Sequence, residues 1–255
     1  MKDATQIDHV SPRCYQSFQQ SNAAAKMIVR RELMISSRRA LNPALSCLAL
    51  IGLALAPSLV QAQLGKRPAK DYIGVLENPE RVERLKTAEV MSRLKLKNGN
   101  IVADIGAGSG VFTRRLAQAV APDGMVFAVD INQELLDYNR EKIREAKLSD
   151  NVEFVLGQFD DPRLPPDSCD LIFICDVIHH IEHREVYLRN LRHTVKSDGR
   201  LAIIDYKANW PPGHEEMKFT TEELLGWTKS AGFEKSAEFD LIADAFFYVF
   251  KPVEP

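Results

Sequence analysis

The segment Val102–Gly110, V-A-D-I-G-A-G-S-G, contains the residues that decide the fold. A short apolar run leads into three glycines at alternate positions, which let the backbone turn sharply and approach a ligand closely. A helical pattern begins at Val111, and the free N–H groups at a helix N-terminus favour a nucleotide-type ligand. The segment therefore predicts a strand, a turn and a helix that together hold a nucleotide-like molecule.

Strand and helix patterns alternate on the C-terminal side of this segment. Short apolar runs, typical of strands buried on both faces, predict strands at Ile101–Ile105, Met125–Asp130, Val152–Leu156, Leu171–Cys175 and Leu201–Asp205. Between them, helices are predicted at Val111–Ala121, Gln133–Lys147 and Glu185–Lys196, with Asn132 as the N-cap of the second. This order predicts an α/β fold, in which a parallel sheet has helices on both faces.

Both ends of the part of the chain that follows Ala62, called the body below, depart from this alternation. Apolar residues at helical spacing from Val82 to Leu94 predict one amphipathic helix, and residues 63–81 are predicted to be a linker. At the other end, a helix at Thr221–Ala231 precedes strands at Glu234–Leu241 and Ala245–Lys251. Because a short turn joins these two strands, they must be antiparallel. We therefore expect one domain over residues 82–255.

Two acids frame the glycine turn. A dinucleotide site prefers G-x-G-x-x-G, but here Gly110 comes one residue early and Val111 has the expected position. Asp104 would repel a diphosphate and suits a ligand with an ammonium and a sulfonium group. Asp130 closes the second strand, where a carboxylate can accept hydrogen bonds from ribose hydroxyls. Capping or ion pairing for Asp104, and stabilisation of the following helix N-terminus by Asp130, remain open alternatives.

Four motifs together resemble class I S-adenosylmethionine-dependent methyltransferases of the type 11 and quinone-biosynthesis group: D-I-G-A-G-S-G (104–110), V-D-I-N (129–132), D-V-I-H-H-I (176–181) and S-D-G-R-L-A-I-I-D (197–205). The resemblance implies a Rossmann-like, mostly parallel seven-stranded sheet with a reversed last strand. It also implies S-adenosylmethionine as the cofactor. The residues implied near its methionine and ribose are Asp104, Gly106, Ala107, Gly108 and Gly110, and those near the ribose and adenine are Asp130 and Ile131.

One motif departs from the pattern of similar proteins. They have G-D-A after the third strand, with the acid near the adenine amine, whereas this chain has Gly157-Gln158-Phe159-Asp160. The amide oxygen of Gln158 could accept from the amine while Phe159 stacks on the ring, or Asp160 could supply the acid. The resemblance also implies that Asp176, at the end of the fourth strand, lies beside the methionine portion of the cofactor.

The acceptor side of the site is predicted at the carboxyl edge of the sheet. His179, His180 and Tyr206 are the candidate catalytic residues, in case the acceptor must lose a proton; packing roles remain open. Lys207 and the loop Trp210–His214 are further candidate contacts. His179 and His183 have i, i+4 spacing, but neither an H-E-x-x-H motif nor a third ligand is evident, so we predict no metal site.

Charge narrows the range of substrates. Seven of the 33 basic residues but only three of the 35 acidic ones precede Gln63, so the remainder of the chain is mildly acidic. Such a body lacks the clustered basic residues that nucleic-acid binding requires. The sequence therefore predicts methyl transfer to a small-molecule acceptor. The alternatives are a non-catalytic cofactor-binding or sensor protein, or a nucleotide-dependent oxidoreductase.

Residues 1–62 have the pattern of an N-terminal extension and signal peptide. Arg38-Arg39 precedes the apolar run Ala44–Ala56, and Val60-Gln61-Ala62 resembles a cleavage site. We expect export to the periplasm after cleavage near Ala62, with a membrane anchor or a mitochondrial presequence as alternatives. The body beyond Ala62 has only Cys169 and Cys175, which are too few for a disulfide framework and are predicted to be core residues.

Overall fold

Residues 69–253 are described by the computed structural model of the chain. Its seven strands are β1 (Ile101–Ile105), β2 (Met125–Asp130), β3 (Val152–Leu156), β4 (Cys169–Cys175), β5 (Val195–Tyr206), β6 (Phe233–Glu238) and β7 (Ala245–Pro252). Over this range the α-helices are α1 (Ala69–Leu76), α2 (Pro79–Arg84), α3 (Thr87–Leu94), α4 (Thr113–Val120), α5 (Gln133–Glu145), α6 (Arg184–Thr194) and α7 (Thr221–Ser230). The export segment predicted before Gln63 lies outside the described residues.

The strands form one sheet in the order β3-β2-β1-β4-β5-β7-β6. β1 pairs in parallel with both β2 and β4, whereas β7 is antiparallel to both β5 and β6. This confirms the predicted mostly parallel sheet with its last strand reversed. From β1 the chain builds the sheet first towards β3 and then, starting again at β4, towards the opposite edge. Ligands of open α/β sheets bind at such a switch point, beyond the carboxyl ends of the strands.

Each strand of the parallel region contributes side chains to two apolar layers. Val102 packs into the layer that includes Leu116 and Ile143, whereas the next residue, Ala103, belongs to the layer with Leu188. Burial on both faces explains the apolar runs of β1 and β2, and these two strands and β3 have the predicted bounds. The predicted N-cap is also confirmed, because the Asn132 side chain accepts from the backbone N–H groups of Glu134 and Leu135.

The predicted single helix from Val82 to Leu94 is wrong. Lys86 has a left-handed backbone (φ 44°), which ends α2 and starts α3 in a new direction. Apolar spacing cannot detect this break, because Leu85, Val90 and Leu94 are all buried despite it. α1 lies within the segment that was predicted to be a linker. α2 is therefore a helix separate from α3, and its side chains Arg81 and Arg84 contact Asp176 at the carboxyl end of β4.

Strand and helix ends differ from the predictions elsewhere by a few residues. β5 starts at Val195, inside the predicted helix Glu185–Lys196, because Val195 already pairs with Cys169 of β4. Cys169 is buried and Cys175 half-buried, and both are free thiols, as expected of core residues. In residues 69–253, every helix is too short or too polar to cross a membrane.

Candidate functional site

The glycine turn after β1 is held against two neighbouring segments. The backbone N–H groups of Gly106 and Ala107 both donate to the carbonyl of Val129, at 2.8 and 2.9 Å. Gly106 has φ +69°, and a Cβ at this position would lie 2.3 Å from a methyl carbon of Val177. Only glycine meets both conditions without strain. The turn thereby brings the loop after β4 close to the ends of β1 and β2, and the space enclosed is a pocket.

This pocket contains most of the residues predicted to bind a cofactor. Its wall includes Asp104, Gly106, Ala107, Gly108, Asp130, Ile131, Gln158, Phe159, Asp176 and His180. Gly110, Asp160, His179 and Tyr206 are not part of that wall. Gly110 instead packs beside α5, where a Cβ would lie 2.1 Å from the Asn139 side chain. This contact and its φ of +85° explain why the residue is glycine, and the predicted cofactor contact of Gly110 gains no support from its position.

Asp104 is a buried carboxylate at the end of β1. Its one side-chain partner is the Thr113 hydroxyl, which donates at 2.6 Å. Burial withdraws the carboxylate from water and raises its pKa to about 7, against the smaller opposing effect of the hydrogen bond. No cation neutralises Asp104 among the described residues, so a positively charged ligand group in the pocket would favour its ionised form.

Asp130 organises the adjacent part of the pocket. Its Oδ2 accepts from the backbone N–H of Gly108 at 2.9 Å, and its Oδ1 accepts from the N–H of Asn132 at 2.9 Å. Burial raises its pKa, and these backbone hydrogen bonds oppose the rise. Each oxygen has a second lone pair, so the carboxylate retains acceptor capacity for ligand hydroxyls. Asp130 thus joins the glycine turn to α5 and can also contact a ligand.

Gln158 and Asp160, the two candidates for a contact with adenine, occupy different positions. Gln158 and Phe159 line the pocket, and Phe159 is 46% exposed, with its ring available to a planar ligand. Asp160 lies outside the pocket wall, where its backbone carbonyl accepts from the Asn190 side chain at 2.6 Å. The geometry therefore favours Gln158 and Phe159 over Asp160 for this contact, which stays a prediction.

Asp176 connects α2 to the end of β4. Its Oδ2 accepts from Arg81 at 2.9 Å and from Arg84 at 3.0 Å. Its Oδ1 is buried without a partner in the described part of the chain. Asp176 and Arg81 both line the pocket. Sequence reasoning missed Arg81 and Arg84, because two arginines in a polar helix carry no motif that distinguishes them from surface residues.

Tyr206 does not have the position of an acid or base. Its hydroxyl accepts from Arg84 at 3.1 Å, and the guanidinium of Arg84 also lies 4.8 Å from its ring. Burial raises the pKa of the phenol to about 12. Tyr206 therefore stays protonated and contacts Arg84 of α2 outside the pocket wall, so its position gives no support to the predicted catalytic role. Lys207 forms an exposed ion pair with Asp240 at 3.2 Å, and this pair does not involve the pocket.

The two histidines occupy different positions. His179 is buried, and its Nδ1 lies 2.7 Å from a carboxylate oxygen of Asp205, the penultimate residue of β5. His180 lines the pocket, and burial lowers its pKa to about 3, so the ring is neutral. The sequence indicated no carboxylate partner for either ring, because 26 residues separate His179 from Asp205. Parallel pairing of β4 with β5 brings them together.

A third imidazole joins this pair from the predicted loop Trp210–His214. The centroid of the His214 ring lies 5.2 Å from that of His179 and 5.5 Å from that of His180. Trp210 of the same loop contacts His179 edge-on, with ring centroids 5.8 Å apart. His183, which has helical spacing from His179, is exposed and is the residue before α6. Trp210 and His214 of this loop therefore pack against the histidine pair.

Further pocket residues come from segments that have no motif. Tyr72 and Leu76 of α1 and Tyr187 of α6 line the pocket together with residues of the glycine turn. α1 lies in the segment that was predicted to be a linker, so its contribution could not be expected. Tyr187 is buried and lines the pocket, and no motif of the sequence singles it out.

Comparison with known proteins agrees with this geometry. A family model described as a methyltransferase domain matches residues 96–242. The ubiquinone/menaquinone biosynthesis C-methyltransferase UbiE of Pseudomonas fluorescens is 31% identical over 135 residues, which are 51% of this chain and 53% of that protein. The chain thus spans about half the length of the curated relatives that it matches.

Solved structures extend the likeness to the whole sheet. A SAM-dependent methyltransferase from Aquifex aeolicus superposes with a TM-score of 0.66 and 26% identity, covering 72% of this chain and 98% of that one. The [4+2]-cyclase SpnF shares the fold at 16% identity, with a TM-score of 0.56, 67% of this chain and 82% of that chain covered. The family model matches more than half of the 255 residues of this chain, and the chain therefore belongs to the methyltransferase domain family.

Proposed function

We propose that the chain binds S-adenosylmethionine and transfers its methyl group to a small-molecule acceptor. The observation that carries the proposal is the pair of buried carboxylates, Asp104 and Asp130, which end adjacent parallel strands and line one pocket with the glycine turn. The Aquifex aeolicus protein, which is named as SAM-dependent, supports the choice of cofactor. The acidic body supports a small molecule rather than a nucleic acid as the acceptor.

The residues present fit this cofactor at three places. Asp104 is a buried anion with no cationic partner in the described chain, which suits an ammonium group. Asp130 has acceptor capacity left for ribose hydroxyls, and the missing Cβ of Gly106 lets the turn pack against Val177 at the pocket wall. The exposed ring of Phe159 and the amide of Gln158 would hold the adenine. When bound, the cofactor supplies a methyl group on a positively charged sulfur that is neutral after transfer.

The protein's main task is then to position the acceptor. Holding two reactants in line at near-attack distance can lower a barrier by about 7–11 kcal/mol. His180 and Tyr187 line the pocket and exclude water from it, while the loop Trp210–His214 packs over His179 behind them. A general base would add about 10²- to 10⁴-fold for an acceptor that must lose a proton. The proposal therefore gives binding and positioning in the pocket more weight than proton transfer.

Titration calorimetry of the purified protein tests the proposal. We expect micromolar binding of S-adenosylmethionine and of its demethylated product, and no binding of NADH. Asp130→Ala should weaken binding of both by about 1.5–3 kcal/mol, the value of a hydrogen bond to a charged group. The matched control, Asp137→Ala, removes an exposed acid of α5 and should bind normally. If wild-type protein released no heat with either ligand, the proposal would be wrong, and NADH binding would favour an oxidoreductase.

The chemistry is tested separately from binding. Extracts of small molecules are incubated with the protein and methyl-labelled cofactor, and labelled products are identified by mass spectrometry. We expect a labelled small molecule that Asp130→Ala does not produce. Normal cofactor binding without any labelled product would favour the non-catalytic alternative.

We also propose that the chain is exported. The support lies in the sequence alone, in Arg38-Arg39, the apolar run Ala44–Ala56 and the small residues before Gln63. Since the cofactor is charged, export of the folded protein with its ligand would fit the paired arginines. Mass spectrometry of the protein from fractionated native cells should find a periplasmic form that begins at Gln63. An uncleaved form in the membrane fraction would instead favour an anchor.

A further inference from the structure

Three imidazoles from two distant segments meet at the edge of the pocket. His179 and His180 follow β4, whereas His214 belongs to the loop between β5 and α7. One nitrogen from each ring lies within 4.8 Å of the corresponding nitrogens of the other two. These nitrogens are close enough together for the three rings to approach one shared ligand.

The orientation of His179 is fixed by its partner. A carboxylate oxygen accepts, so the Nδ1 of His179 donates its hydrogen to Asp205 across 2.7 Å. The backbone N–H of His179 also donates to Asp205, at 3.2 Å. This tautomer leaves the lone pair on Nε2, which is the arrangement of carboxylate–histidine pairs that bind metal ions. Asp205 has no exposed surface, and its contacts with the ring and the backbone of His179 hold that ring in place beside the cluster.

His214 and His180 also each have a ring nitrogen that is available to a ligand, for different reasons. The Nδ1 of His214 lies 3.2 and 3.3 Å from the carbonyls of Pro211 and Pro212, which only accept, so its lone pair is also on Nε2. The Nδ1 of His180 is buried and has no hydrogen-bond partner among residues 69–253. A buried polar atom without a partner is costly, and a bound ligand removes that cost.

We propose that His179, His180 and His214 bind one divalent transition-metal ion, for which Zn²⁺ is the best match. Neutral imidazole nitrogens suit Zn²⁺, and catalytic zinc sites have three protein ligands and one open position. Tetrahedral zinc with bonds of about 2.0–2.1 Å holds its ligand nitrogens about 3.3 Å apart. The rings must therefore close on the ion, and the half-buried His214, which belongs to a loop, is the ring that can move.

The open position gives the site a role that rests on the function proposed above. Because His180 lines the pocket, an ion held by this ring lies at the acceptor side of the cavity. The acceptor class that such an ion would take is a small molecule with a hydroxyl or carbonyl oxygen, which the ion binds and polarises. Metal coordination would orient that oxygen. It would also take the place of a general base, the role for which Tyr206, His179 and His180 were the candidates.

Metal binding is tested without any methyl acceptor. The full-length protein, with any affinity tag removed, is stripped with a chelator and titrated with Co²⁺, whose visible absorption reports coordination by protein nitrogens. We expect one Co²⁺ per chain, displaced by Zn²⁺. His214→Ala should weaken binding at least 100-fold, and Asp205→Asn, which changes an outer partner, about 10- to 100-fold. The matched control is His183→Ala, which removes an exposed histidine beside the cluster and should bind Co²⁺ like wild-type protein.

Three outcomes would overturn the site: no Co²⁺ bound by wild-type protein, equal affinity in His214→Ala, or a loss in His183→Ala as large as in His214→Ala. Circular dichroism confirms that each variant is folded. Binding of the demethylated cofactor product is measured on the same samples by calorimetry. Metal binding without cofactor binding would contradict the proposed function and keep the metal site, whereas the reverse result would contradict the metal site alone.

Discussion

Gly106 is a position where both the backbone conformation and the neighbouring residue require glycine. Its positive φ and its contact with Val177 both exclude a side chain. We expect Gly106→Ala to weaken binding of the demethylated cofactor product at least tenfold, because Val177 or the turn must move. The free energy of unfolding should fall by about 1–3 kcal/mol.

A control for this substitution is available within the same chain. Gly226 lies in α7, where an added Cβ meets no atom within 4 Å and the backbone is helical. Gly226→Ala should therefore stabilise the protein by about 0.5–1 kcal/mol and leave ligand affinity unchanged. Calorimetry and urea unfolding of both variants check the pair. Normal ligand affinity in Gly106→Ala would show that the turn does not need to approach the ligand.

Asp104 predicts a pH dependence of cofactor binding. With a pKa of about 7, the free protein holds this carboxyl protonated below neutrality. A ligand ammonium group favours the ionised form, so binding below pH 7 must also release a proton, and affinity should fall as the pH is lowered. The limiting slope is about tenfold per pH unit. Calorimetric titration with the demethylated product between pH 5.5 and 8.5 measures it.

Asp104→Asn provides the comparison that isolates this group. The amide does not titrate, so the variant should bind more weakly at pH 8 and lose the decrease in affinity below pH 7. Titration of the ligand itself is common to both proteins and cancels. An equal slope in the variant would assign the pH dependence to another group, such as Asp130, whose pKa is also raised by burial.

At the scale of elements, α2 owes its position to an ion-pair network. Arg81 and Arg84 bind the same oxygen of Asp176, and Arg84 also contacts Asp244 at 2.9 Å. Such a tether explains how a six-residue helix, which has no buried residue of its own, is held over the pocket. The break at Lys86 separates α2 from α3 and allows this orientation.

Asp176→Asn tests the tether. Asn tolerates the left-handed backbone that Asp176 has (φ 55°), so the substitution removes charge with little change in shape. We expect the free energy of unfolding to fall by about 1.5–3 kcal/mol, because two hydrogen bonds lose their charged acceptor. Urea unfolding measures this, with Asp137→Asn, whose ion pair with Arg140 is exposed, as an unaffected control. Equal midpoints for the two variants would contradict a structural role of the network.

At the scale of the whole molecule, ligand binding should stabilise the fold. The pocket is built from the glycine turn, α1, β4 and α6, so an occupant joins segments distant in the chain. Demethylated product at 100 times its dissociation constant should add about 2.7 kcal/mol, which corresponds to about 5–10 °C in Tm. Differential scanning fluorimetry measures the shift, and Asp130→Ala at the same ligand concentration should show a much smaller one. No shift in wild-type protein would contradict binding to the native state.

The sequence by itself determined the sheet and the cofactor side of the pocket. The glycine turn, Asp104 and Asp130 are close along the chain, and their spacing reflects local geometry at the ends of β1 and β2. Continuous apolar runs identified the parallel strands because such strands are buried on both faces. The reversed last strand followed from the short connection before β7, which allows only an antiparallel pair.

Only the tertiary structure decided the acceptor side. His179 meets Asp205, and His214 meets both histidines, because β4 and β5 pair in parallel and bring their following loops to one edge. Likewise, Arg81 reaches Asp176 across 95 residues of sequence. No local pattern encodes such contacts, since helical spacing and apolar runs report which face of an element is buried. They do not report which distant side chain lies opposite it. For this reason the glycine turn with its two acids could be predicted from the sequence, whereas the histidine cluster could not.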